Sequence, residues 1–523
     1  MKKSKLLLFS SLVTGSLSLS GCFLFQIKQS ETVVTAPTIN VVSTLNLNLS
    51  GRDEKTLSPS LSDSSITNPT FDYVSSNTNV ATVNSSGVVR AVNVGTCNIT
   101  ITLQSNKSVT ASVSVTVIDE TVEHYDYTIM FYMCGSDLEY HGPDYRDSDQ
   151  YFFTRDIQEI LSVKDIPDSV RIILETGGTT KWGMPSSYLE GATEISSKYL
   201  QRWEINNKTN KLKLIDTLNT NEMAKEESFE DFLSWGLDSY EADQMGVVIS
   251  GHGGGIAGCA FDDNYQYKYG RDYFAYTLQT FEVANAAKNA LANSSKDKFT
   301  WIGYDCCVMS CADIAVVNSD YFEYMVASQE LENATGWNHD VYLPFLVENT
   351  SITPEEFLPK ICDSFVEDNH SAGEKDACLQ TLSVLDLSKA DELVTSFENV
   401  VSQLGTTTTA YGKAKTAFES AFNDFGDGMY GLCDFTSLLK QLQIQNSINT
   451  LTAQNAVSEL VYYTNYCSRY SSTPCGVNAF FPDYVSGDKR YALQVGREDY
   501  ADKNSTKFSK WQTICLSGDG FGW

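Results

Sequence analysis

Two short stretches of this sequence carry residues that together can perform thiol chemistry. Ser250-Gly251-His252-Gly253-Gly254-Gly255 holds a histidine, and Tyr304-Asp305-Cys306-Cys307-Val308-Met309 holds a pair of cysteines. A cysteine attacks as its thiolate, and an imidazole within reach supplies the base that takes its proton. The runs Met245–Ile249 and Phe299–Gly303 precede the two stretches and read as strands. In an open parallel sheet, reacting groups gather at the carboxyl ends of strands. Gly253 can bring its backbone N–H close to a substrate carbonyl and, with the N–H of Cys307, would form an oxyanion hole. A helix expected over Ala312–Val317 would offer free first-turn N–H groups that favour a thiolate. Neighbouring residues point in different directions, so one of Cys306 and Cys307 faces a cleft and the other the core. Bare chemistry leaves that choice open. Cys311 extends the pair to C-C-x3-C, but no second C-x-x-C or histidine pair accompanies it, so no metal site is expected.

The elements around these stretches predict an α/β sheet. Tyr127–Met133 is a nearly continuous apolar run, as in a strand buried on both faces, and Val170–Leu174 is another. Helical spacing covers Phe152–Val163, Ser228–Tyr240, Asp272–Ala292, 355–367, 384–404 and 408–425, with further strands at Tyr324–Ala327 and Val477–Phe481. Strands alternating with helices indicate a mostly parallel sheet flanked by helices. Residues 36–118 differ: Ser, Thr, Asn and Val dominate, and Val80-Ala81-Thr82-Val83 and Val88–Val92 alternate around the turn Asn84–Gly87. Short strands with polar turns predict an all-β sandwich. The expected domains are 36–118 and 119–523.

At 523 residues, 42% of them hydrophobic, the chain can bury more than one core. Its 37 basic against 66 acidic residues disfavour nucleic acid as a partner, which needs clustered Lys and Arg. An acidic field favours cationic substrates. Lys2, Lys3 and Lys5 precede the apolar stretch Leu6–Leu19, which is too short to span a bilayer. Leu19-Ser20-Gly21-Cys22 then resembles a bacterial lipobox, which implies a signal peptide over 1–21, lipidation of Cys22 and a tether over 22–35. The expected location is outside the cell, held at the membrane surface by acyl chains.

Larger resemblances join these pieces. Ser75–Val83 with Gly87-Val88-Val89 and Val94-Gly95-Thr96 resembles the bacterial Ig-like domain of the second type, a spacer or adhesive module with a candidate cell-surface ligand. Tyr127–Met133, Gly251–Gly255, Tyr304–Met309 and Ala327-Ser328-Gln329-Glu330-Leu331-Glu332 with Gly336-Trp337 resemble the clostripain-type cysteine peptidases, which implies a caspase-like fold. That family reads aromatic-Asp-Ala-Cys-Leu-Met at the second motif. The resemblance therefore puts the nucleophile on Cys307, the base on His252 and the family's alanine position on Cys306, which departs from it. The 55-residue separation from 252 to 307 is near the roughly 50 of caspases. Asp305 matches the acidic residue that selects Arg or Lys before the scissile bond; its alternative role is to cap the following helix. Family members that mature by cutting themselves imply candidate sites at Lys268 and Arg271, in the stretch Asp262–Tyr273 expected as an exposed loop. The chemistry requires no cofactor, and calcium is a candidate ligand of the acidic stretch Asp137–Asp149, although its ligand spacing matches no known loop.

The expected function is hydrolysis of protein or peptide substrates after Arg or Lys through a thioester acyl-enzyme. An α/β-hydrolase esterase is excluded because no Gly-x-Ser triplet occurs, so no nucleophile elbow can form. The other alternative is a cell-surface adhesin on a degenerate peptidase scaffold. Rapid iodoacetamide labelling of one thiol, lost in His252→Ala, separates the two readings.

Overall fold

The computed structural model describes residues 37–49, 54–62, 66, 68–118, 125–141, 151–269, 272–368, 379–422, 425, 431–468, 470–481 and 500–517. The expected leader and tether, with Cys22, lie outside these residues, as does Arg271. Among the described residues no helix is long and apolar enough to cross a membrane.

The N-terminal region is a β-sandwich. One sheet runs Thr44–Asn48, Thr110–Ile118, Gly95–Leu103, Phe71–Ser75, and the other Glu54–Thr56, Val88–Ala91, Ala81–Val83. Alternation along the strands sends Val89, Ile99, Ile101, Val113 and Val115 into a fully buried core between them.

The larger region is built on a ten-stranded sheet. Its five central strands, in spatial order Val170–Gly177, Tyr125–Cys134, Ala242–Ser250, Phe299–Asp305 and Phe322–Ala327, are parallel neighbours. Both faces are covered. From Tyr125–Cys134, Met130, Tyr132 and Cys134 enter one apolar core, while Ile129, Phe131 and Met133 enter the core on the opposite face. Two-sided burial is why this strand reads as unbroken apolar sequence rather than as an alternation. Antiparallel strands widen the sheet at both edges, through Gln201–Asn206 and Lys211–Thr217 on one side and Thr381–Asp386 and Val461–Tyr466 on the other.

The α/β sheet and the N-terminal sandwich agree with expectation; several local assignments do not. Asp272–Ala292 divides into a strand, Asp272–Leu278, and a helix, Thr280–Leu291. The aromatic run Tyr273-Phe274-Ala275-Tyr276 is a better strand former than helix former. It pairs antiparallel with Cys259–Tyr269, so the stretch expected as an exposed loop is largely a hairpin. The expected helix 384–404 begins instead as the buried strand Thr381–Asp386, and the helix proper is Ala390–Val401. Asn478–Phe480 pairs with Leu432–Asp434 outside the large sheet.

Candidate active site

Strand register aligns the two motifs. Met133, Ser250 and Asp305 are partners in one row across three adjacent strands. His252 and Cys307 each follow that row by two residues, and the Gly251 N–H donates to the Asp305 carbonyl at 3.2 Å. In chain order the central strands lie 2-1-3-4-5, so the order reverses between Tyr125–Cys134 and Ala242–Ser250. A crevice opens outside the carboxyl ends of strands at such a reversal. Here it is a cavity of about 240 Å³ lined by Phe153, Asp156, His252, Asp305, Cys307 and Glu332, among others.

His252 is half-buried and its Nε2 lies 2.6 Å from Oδ1 of Asp137. Asp137 comes from the short helix Ser136–Glu139 that follows strand Tyr125–Cys134 across the reversal. The hydrogen bond from His252 holds the Asp137 carboxyl below the usual aspartate range against a burial effect of opposite sign, and His141 adds to it, its Nδ1 3.3 Å from Oδ2. With Nε2–H donated to Asp137, Nδ1 of His252 is left with its lone pair as the nitrogen able to accept a proton. Phe261 lies edge-on to the ring, 5.8 Å between centroids.

Cys306 and Cys307 part company at the strand end. Cys306 is buried in the core, and its thiol donates to the Ile249 carbonyl at 3.3 Å. Cys307 is partly exposed into the cavity and accepts the Glu332 N–H at 3.3 Å on its Sγ. Burial pushes the Cys307 thiol up; the Glu332 N–H opposes this, while the Glu330 and Asp305 carboxylates add to it. The helix expected to favour the thiolate starts at Ala312, five residues on, with Cys311 as its cap, so Glu332 and not the helix supplies the donor. Val308, next to the nucleophile candidate, has φ +54°, a costly conformation for a β-branched residue. Such a turn is held by its surroundings: the Val308 N–H donates to Glu330 and the Ser310 N–H to Ser328. Gly253 packs on the same turn. A Cβ there would lie 2.3 Å from the Cys307 carbonyl oxygen and 2.8 Å from its nitrogen, so only glycine fits.

Below the thiol the cavity floor is acidic. Asp305 is buried, and burial lifts its carboxyl to about 6 although a hydrogen bond with the Glu332 side chain and then the Trp337 N–H stabilise the charged form. Glu332 and Asp156 stand well above the usual carboxylate range, first from burial and then from the neighbouring Asp305 charge. Gly336, at φ +63°, passes so close that a Cβ would sit 3.0 Å from Asp305 Oδ2. His339 is fully buried behind them. Its Nδ1 is 2.7 Å from the Tyr342 hydroxyl and its Nε2 is 3.9 Å from Asp305 Oδ2. Burial drives its imidazole down to about 3, so it is neutral.

Of the residues singled out in the sequence, His252, Gly253, Asp305 and Cys307 therefore meet at one cleft. Lys268 does not: it lies in the hairpin, paired through its backbone with Tyr273. The acidic stretch Asp137–Asp149 is described only to residue 141, and Asp137 faces two histidines. Asp137, Asp156, Glu332 and His339 were not assigned to the site from sequence. Only Glu332 had a signal, since it closes the motif Ala327–Glu332 and is followed by Gly336-Trp337.

Comparisons with known proteins place the chain in a family. Residues 37–113 match the bacterial Ig-like domain, group 2, and residues 132–513 match the clostripain family. No curated protein matches the chain. Among solved structures, a secreted C11 cysteine protease from Bacteroides thetaiotaomicron, iotapain, superposes with TM-score 0.51 at 15% identity, covering 73% of this chain and 98% of that one. An inactive zymogen C11 protease from Parabacteroides distasonis gives TM-score 0.48 at 16% identity, covering 72% and 96%. The first of these shares the α/β fold, and the family model spans well over half the sequence. The chain belongs to the clostripain family and is a cysteine peptidase carrying an N-terminal Ig-like domain.

Proposed function

We propose that this chain is an exported, lipid-anchored endopeptidase that cuts after Arg or Lys with His252 and Cys307 as its dyad. The observation that carries the reading is the common register of the two motif strands, with both side chains lining one cavity floored by Asp305. Nδ1 of His252 takes the Cys307 proton, Sγ attacks the scissile carbonyl, and the oxyanion forms against the N–H groups of Gly253 and Cys307. The imidazolium then protonates the leaving amine, and water hydrolyses the thioester with His252 again as base. Asp137 orients the ring and stabilises its charged form. A substrate guanidinium or ammonium pairs with Asp305 in a desolvated pocket. The same cation offsets the negative potential that keeps the Cys307 proton in place, which couples substrate binding to thiolate formation.

Hydrolysis of fluorogenic peptides ending in Arg, Lys or Asp, with Cys307→Ala and Cys306→Ala beside the wild type, tests this. Cleavage after Arg and Lys that persists in Cys306→Ala and vanishes in Cys307→Ala is expected; preference for Asp would sink the pocket assignment. The chemistry we propose runs without a cofactor, and a calcium titration of the rate tests the acidic 137–149 stretch. The lipobox-like segment ending in Cys22, together with secretion of iotapain, supports export. Release from the membrane fraction on Cys22→Ser tests the anchor. For self-processing at Lys268 or Arg271, the wild type should run as two chains on a denaturing gel and Cys307→Ala as one.

A further inference from the structure

We propose that Asp156, Asp305 and His339 form a site for a zinc-class divalent cation at the floor of the cleft. One donor atom from each lies within 4.8 Å of the other two, and all three residues are buried. They arrive from three separate places: the helix Phe152–Ser162, the end of strand Phe299–Asp305 and the first turn of helix His339–Glu348.

Two atoms point to a missing ligand. Asp305 Oδ2 and His339 Nε2 are buried without a hydrogen-bond partner, in residues 6% and 0% exposed. A buried polar atom left unpaired is destabilising, so such pairs are rare without a partner to fill the gap. Their 3.9 Å separation is too long for a hydrogen bond. It leaves room for an ion between them, because two donors each about 2.1 Å from a tetrahedral zinc stand about 3.4 Å apart, so the pair would close by about 0.5 Å. The third donor lies within 4.8 Å of both and would close by up to about 1.4 Å. The imidazole is already oriented, since Nδ1 is held by the Tyr342 hydroxyl, the arrangement expected behind a metal-binding histidine. The charge also fits. Among the described residues no lysine or arginine forms an ion pair with Asp156, Asp305 or Glu332, and a dication would supply what those crowded carboxylates lack.

The donor set selects the ion. One imidazole and two carboxylates suit zinc, cobalt or manganese. Calcium needs six to eight oxygens, and magnesium an octahedron of oxygen ligands, which this closed floor does not offer. The remaining coordination position opens into the cavity beside Glu332 and Cys307. One consequence rests on the proposed function: an ion on Asp305 occupies the place of the substrate's basic side chain, so zinc should inhibit in competition with Arg-ending peptides.

The test is a cobalt titration of full-length Cys307→Ala, followed by the visible d–d absorption of the bound ion, so that neither the nucleophile nor activity enters. One saturable site per chain is expected. Asp156→Asn and His339→Gln in that background should each weaken binding at least tenfold, and His252→Ala should leave it unchanged. Absence of a saturable signal, equal affinity in both floor variants, or loss in His252→Ala alone would each overturn the site, the last by placing the ion at the dyad. Thermal unfolding without metal checks that each variant folds, and near-isosteric Asp156→Asn carries the test if His339→Gln does not. Cobalt binding in a protein whose wild type cleaves no peptide would defeat the peptidase reading and leave this one standing.

Discussion

The cleft pairs a histidine with a carboxylate twice, and the two pairs are opposites. At the rim, His252 and Asp137 are half-exposed, 2.6 Å apart, and the aspartate is held in its charged form. At the floor, His339 and Asp305 are buried, 3.9 Å apart, and burial disfavours charge on both. Solvent makes the difference. Where water reaches, opposite charges lower each other's cost. Where it does not, the floor keeps unpaired acceptors whose stabilisation awaits a cation. In the proposed mechanism the rim moves a proton and the floor receives charge.

Neutralising the floor should have the largest effect. Asp305→Asn removes the proposed buried partner of a substrate cation and should lower kcat/KM for Arg-ending peptides by about 10³-fold, with far less loss on peptides ending in a neutral residue. Equal loss on both would move Asp305 from specificity to the chemical step. Next comes the contact that sets the rim against the proposed nucleophile. In Gly253→Ala the new Cβ must displace the Cys307 backbone, and a shift of about 1 Å costs about 10²-fold in rate. Retained activity would show that this turn yields and that its N–H groups do not need this spacing. Asp137→Asn keeps the shape of the rim but removes its charge; kcat should fall about tenfold with KM unchanged. A change in KM alone would give Asp137 a binding role instead.

The smallest effect is on stability. A carboxylate whose folded pKa is depressed adds stability above its unfolded pKa and loses it as pH falls through the folded value. Asp137 is such a group, but its side chain is 41% exposed, so its contribution at pH 7 should stay below about 1 kcal/mol. Thermal unfolding of wild type and Asp137→Asn should differ slightly at pH 7 and converge below the usual aspartate range. A gap that persists in acid would mean the asparagine perturbs packing rather than charge.

The strands that carry His252 and Cys307 were legible in the chain's residues, because strands buried on both faces must be apolar throughout and the polar motifs at their ends stand out against them. The sequence also marked the change of texture near residue 118, since a thin sandwich and a two-sided sheet need different compositions. The family motif, rather than local chemistry, singled out Cys307 over Cys306. Tertiary structure alone decided the rest. Asp137 reaches His252 across 115 residues, and Asp156, Asp305 and His339 converge from three elements. Neither leaves a periodic trace, because a meeting at a topological reversal depends on how strands are ordered in space and not on spacing along the chain.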